Sequence, residues 1–125
     1  MRPKSPTLTP QELEIMKIVW GKGEVTVREV YETLLERRRI AYTTVMTMMR
    51  ILERKGYLKT SREQRAYLYR PARPERQVLG SMVRDFVDRV FNGSARPLLV
   101  HLVEERRLSK RELDELRRLV REVEK

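Results

Sequence analysis

Thr43, Thr44, Met46 and Thr47 stand within five residues of one another. Cations follow at Arg50, Arg54 and Lys55, and again at Lys59, Arg62 and Arg65. These residue types suit recognition rather than bond making. A threonine hydroxyl can donate to or accept from a base edge, its methyl can meet a thymine methyl, and a methionine adds an apolar contact. Arginines and lysines meet phosphates, and each phosphate they neutralise releases counterions. Bond-making chemistry lacks its parts. There is no cysteine, which excludes disulfides, thiolate metal ligands and thiol nucleophiles. His101 is the one histidine, and a single histidine with no nearby thiolate makes a poor metal site. Its expected place is beside a subunit interface. Ser94 and Ser109 read as helix caps, and no nucleophile–base pair is visible. No enzyme activity, metal or cofactor is expected.

Such side chains need a helix that presents them and a scaffold that holds the helix. Thr9-Pro10-Gln11-Glu12 is a capping box with proline at the first helical position. Leu13, Met16 and Trp20 form an apolar stripe behind it, with Ile15 and Val19 alongside, and Gly21 and Gly23 end the helix. Thr26-Val27-Arg28-Glu29 opens a second helix with Val27, Val30, Leu34 and Leu35 inside, running to about Arg38. The third helix spans residues 42–55, with Val45, Met48, Met49 and Leu52 as its core face and Gly56 as its stop. Thr43 or Thr44 could serve only as a cap, and Arg37-Arg38-Arg39 reads equally as a DNA contact or a solvated helix end.

After Gly56 the period changes. Residues 57–61 and 66–70 read as two strands, with Tyr67 and Tyr69 on one face and Leu68 on the other. Arg62-Glu63-Gln64-Arg65 reads as the turn between them, and Pro71 and Pro74 close the unit. The expected organisation is a loose arm at residues 1–8, a DNA-binding unit at 9–71 and a helical tail at 72–125. Three helices followed by a hairpin is the order of a winged helix-turn-helix, so the fold class is mainly α.

The net charge of +10 calls for an anionic partner, whether nucleic acid, acidic protein or membrane surface. Residues 1–71 hold 15 Lys/Arg against 8 Asp/Glu, and residues 72–125 hold 13 against 10. The surplus is therefore +7 against +3, which places the anion-binding surface in the first half. Residues 1–10 hold no apolar run, so no signal peptide is expected. No stretch approaches the ~20 apolar residues that span a bilayer. A cytoplasmic location without membrane insertion follows as an expectation.

The tail is helical throughout. Leu79, Met82, Val83, Phe86, Val87 and Val90 step by three and four. Asn92-Gly93-Ser94 breaks that helix and recaps a short one with Leu98, Leu99, Leu102 and Val103. Ser109-Lys110-Arg111-Glu112 opens a last helix with Leu113, Leu116, Leu119, Val120 and Val123. About 50 residues cannot bury so many apolar side chains alone. Met82, Phe86, Val90, Leu98, Leu102, Leu116 and Leu119 are the candidate dimer interface. The alternative is a tail folded back on its own head.

Several segments together resemble the penicillinase-repressor (BlaI/MecI) family. They are Leu8 through Glu12 with Val19-Trp20, Val25 through Val30, Ala41 through Leu52 and Lys55 through Leu58. Arg65 through Tyr69, the Phe91-Asn92-Gly93-Ser94 break and Leu108 through Leu119 complete the likeness, which covers nearly the whole chain. The resemblance implies a homodimeric repressor with a winged-helix head, a three-helix dimerisation tail and a palindromic double-stranded DNA operator. It makes Thr43, Thr44, Met46 and Thr47 the base-contact candidates. It also implies a regulatory protease as partner, with His101-Leu102 standing where the family cleavage pair is Asn-Phe. The copper-responsive relatives' C-terminal cysteine cluster has no counterpart here. Two other functions share these features: a low-specificity architectural DNA binder, and a helical protein-interaction module.

Overall fold

A computed structural model describes residues 7–63 and 65–124. Helices α1 (Pro10–Lys22), α2 (Val27–Leu35) and α3 (Tyr42–Arg54) precede strands β1 (Leu58–Glu63) and β2 (Ala66–Pro71). Helices α4 (Glu75–Val90), α5 (Arg96–Glu104) and α6 (Lys110–Glu124) follow. The chain falls into two compact units that divide after Gly80, within α4, rather than at Pro71.

Local chemistry sets the starts of α1, α2 and α6. Thr9 and Glu12 close a reciprocal capping box on α1, and Thr26 and Glu29 close one on α2. The Ser109 amide donates to Glu112 at 2.9 Å, and the Glu112 amide donates to Ser109 Oγ at 3.1 Å. Each box satisfies helix N–H groups that otherwise lack partners. Helix α1 runs through Gly21 and ends at Gly23, whose φ of +88° only glycine adopts without strain. Helix α2 stops at Leu35, short of Arg38. Between α4 and α5, Asn92 (φ +53°) and Gly93 (φ +86°) turn the chain. Ser94 does not cap α5: its N-cap is Ala95, and Pro97 sits in its first turn.

The first unit is built on one apolar cluster. Ile15, Met16 and Val19 from α1, Val30 and Leu34 from α2, and Val45, Met49 and Leu52 from α3 are all fully buried. Tyr57, Leu58 and Tyr69 bring the hairpin onto the same cluster. Met48, expected inside, is only half-buried. A contact between Val25 and Tyr69 locks the hairpin in place. The Val25 amide donates to the Tyr69 carbonyl at 2.9 Å, and the Tyr69 amide returns a bond at 2.8 Å. Trp20 Nε1 donates to the Arg73 carbonyl at 3.0 Å, which fixes the chain leaving the hairpin. Leu8, placed by sequence in a loose arm, is buried, while residues 1–6 of that arm lie outside the described residues.

In the second unit, Val87 is the one buried apolar residue among the described ones. Phe86 meets Phe91 edge-on at 5.8 Å between ring centroids. No described helix is long and apolar enough to cross a membrane.

Candidate nucleic-acid interface

Helix α3 has two opposed faces. Val45, Met49 and Leu52 are inside, whereas Thr43, Thr47, Arg50 and Arg54 are exposed. The spacing i, i+4, i+7, i+11 puts those four on one stripe along the helix. Thr44 is exposed on one flank of the stripe, and Met46 is half-buried on the other. The threonines are not caps. The N-cap is Ala41, which makes no side-chain cap bond, so Thr43 and Thr44 lie inside the first turn. Their hydroxyls have no hydrogen-bond partner among the described residues. Tyr42, which leads the helix, meets Tyr31 edge-on at 5.3 Å and carries the Arg28 guanidinium 5.7 Å from its ring centroid. This cluster ties the start of α3 to α2, and nothing in the sequence periodicity announced it.

Strand pairing decides where the wing cations stand. The register pairs Thr60 with Tyr69 and Arg62 with Tyr67. Alternation puts all four on one face of the hairpin. Arg62 belongs to β1 and not to the turn, because β1 continues to Glu63; Gln64 of that turn lies outside the described residues. The Arg62 guanidinium lies 5.5 Å from the Tyr67 ring centroid. Lys59 pairs with Arg70 on the opposite face, which separates it from Arg62. Arg65 is exposed just before β2. A cleft of about 630 Å³ opens between α3 and the hairpin, lined by Arg50, Glu53, Arg54, Thr60, Tyr67 and Tyr69.

Lys55 is drawn out of the expected phosphate set. Its Nζ lies 2.8 Å from Glu12 Oε1 and donates to the Thr7 carbonyl at 3.3 Å. Burial works to raise the Glu12 pKa. Hydrogen bonds from Lys55 and Thr9, with the Lys55 charge, outweigh it and hold the carboxyl below the ordinary glutamate value. Arg37 and Arg38 are likewise engaged. Both reach Glu14, at 3.5 and 2.7 Å, and fasten the end of α2 to α1.

The tail residues sit as follows. Phe86, Val90 and Leu119 are exposed, while Met82, Leu98, Leu102 and Leu116 are half-buried. The exposed set extends to Val83, Leu99, Val100, Val103, Val120 and Val123. His101 is exposed in α5, its ring 6.1 Å from that of Phe91. Leu102 follows it inside the same helix. Among the described residues no group of His, Cys, Asp or Glu is placed to hold a metal ion.

A trihelical core with a two-stranded wing, and a threonine–arginine stripe on its third helix, define a winged-helix DNA-binding regulator. More narrowly, the chain belongs to the penicillinase repressor family, whose family model matches residues 8–122. It is 39% identical to the transcriptional regulator BlaI of Mycobacterium tuberculosis over 115 residues, covering 90% of this chain and 82% of that one. It is 29% identical over 119 residues to the penicillinase repressor of Bacillus licheniformis, covering 95% of this chain and 93% of that one. Among solved structures it resembles the monomeric form of Bacillus licheniformis BlaI in complex with the blaP half-operator. That match has a TM-score of 0.51 and 32% identity, and covers 58% of this chain and 88% of that one. The family is one of transcriptional repressors and not of enzymes.

Proposed function

We propose that the protein is a homodimeric, sequence-specific transcriptional repressor. It lays α3 in the major groove of a palindromic operator and so acts in the cytoplasm, where bacterial promoters are. The observation that carries this reading is the α3 stripe. Thr43 and Thr47 lie at the end of a recognition helix that meets base edges, and Arg50 and Arg54 lie where phosphates pass. Thr44 and Met46 flank the base-reading end. The relative bound to a half-operator supports one head per half-site.

Two heads require a dimer, and the tail has the surface for one. Val83, Phe86 and Val90 on α4, and Leu119 and Val120 on α6, are apolar side chains left exposed to water. A second copy would bury them with twofold symmetry and set the two recognition helices roughly 34–36 Å apart, or a multiple of that. Cleavage at His101-Leu102 would require α5 to open first, since both carbonyls accept hydrogen bonds, from the amides of Glu105 and Arg107.

The double variant Thr43→Ala/Thr47→Ala tests base reading. Fluorescence anisotropy should show discrimination between the preferred duplex and a scrambled one falling by ~1–3 kcal/mol per good contact. Affinity for scrambled DNA should stay close to wild type. Unchanged discrimination would favour a low-specificity architectural binder.

A further inference from the structure

The cleft between α3 and the wing contains a hydroxyl with nothing to do. Thr60 Oγ1 is buried and has no hydrogen-bond partner among the described residues. A buried hydroxyl left in this state is a standing cost, and natural structures hold few of them. Thr60 lines the same cleft as Arg50 and Arg54, whose guanidinium groups have no side-chain partner among the described residues. Tyr67 forms part of the same wall and carries Arg62 on its ring. Glu53 is the one anion lining the cleft.

Duplex geometry says what passes between these walls. Neighbouring major and minor grooves share one sugar–phosphate strand as their border. A protein with a helix in the major groove and a hairpin reaching past its edge must take that strand between the two. We infer that the cleft is the channel for this strand, and that Thr60 is a DNA-contact residue whose hydroxyl gains its missing partner on a phosphate oxygen. Thr60 has a single side-chain torsion, so the inferred contact needs no more than a change of rotamer at χ1 to redirect the hydroxyl. Glu53 opposes the phosphates and limits the cleft to two cations against one anion. This inference rests on the repressor reading and adds the strand path and the contact to it.

A neutral donor and a cation leave different marks on binding. Losing a cation that neutralises a phosphate lowers the salt slope by about 0.9, whereas losing a hydroxyl leaves the slope intact. The test uses full-length protein and the duplex that the wild type enriches from random-sequence DNA. Thr60→Val should bind that duplex about 10-fold more weakly, the scale of a hydrogen bond to a charged group, with an unchanged salt slope. Its Tm without DNA should equal or exceed that of wild type, because an unsatisfied hydroxyl has been removed. Thr60→Ser should bind as wild type, and Arg54→Ala should lower the slope. Wild-type affinity in Thr60→Val would overturn the inference and leave the repressor reading standing. A loss of affinity accompanied by a lower Tm would assign Thr60 a structural role and also overturn it. If the wild type enriches no duplex, the repressor reading itself fails, and the strand channel falls with it.

Discussion

Glu12 joins three parts of the head through one carboxylate. It accepts from the Thr9 amide at 2.9 Å, closing the cap of α1, and holds Lys55 just beyond the end of α3. Lys55 in turn reaches the Thr7 carbonyl beside buried Leu8. The folded state lowers the pKa of Glu12, so the pair contributes stability above the ordinary glutamate value. That contribution is lost as pH falls through the lowered folded value. Replacing Lys55 by Met leaves a carboxylate only 5% exposed without its cation. Thermal unfolding at neutral pH should show a loss of about 1–3 kcal/mol, the scale of a buried acceptor left without its partner. The difference from wild type should shrink as pH drops and Glu12 protonates. A variant whose deficit stays constant through the acid range would contradict this coupling.

Among the elements, α3, like α5, starts without a side-chain cap. Helices α1 and α2 begin with reciprocal boxes, while α3 begins at Ala41, which offers no side-chain acceptor. Ala41 already has the extended conformation an N-cap requires, with φ −85° and ψ 144°. Ala41→Ser should therefore stabilise the head by ~1 kcal/mol, read as a higher Tm. An unchanged or lower Tm would show that the first turn of α3 is held by the Tyr31–Tyr42–Arg28 cluster alone. The elements also show what the sequence made legible. Helix starts are written in four consecutive residues, so the boxes at Thr9, Thr26 and Ser109 could be read directly. The extension of β1 through Arg62 and Glu63 could not, because it depends on pairing with Tyr67 and Ala66 across the hairpin. The Val25–Tyr69 contact gave no signal, since one paired residue has no period. The α3 stripe was legible from spacing alone. Lys55 was not, because its ion pair joins residues 43 apart, and the orphaned Thr60 hydroxyl exists only once α3 and the wing have met.

At the scale of the whole chain, two surfaces remain unmatched, and their chemistries differ. The head carries most of the positive surplus, with exposed guanidinium groups on α3 and a cleft beside the wing. The tail carries exposed apolar side chains on α4, α5 and α6. On the proposed reading, a polyanion would satisfy the first and a second copy the second, and a twofold dimer on a palindrome would do both at once. The most direct measurement is selection of random duplex DNA by the full-length protein at roughly 150 mM salt, where counterion release no longer carries non-specific binding alone. The account predicts an enriched palindrome whose half-sites keep one fixed spacing, set by the twofold axis of the dimer. Retained DNA without a motif, or an enriched single half-site with no spaced partner, would contradict it.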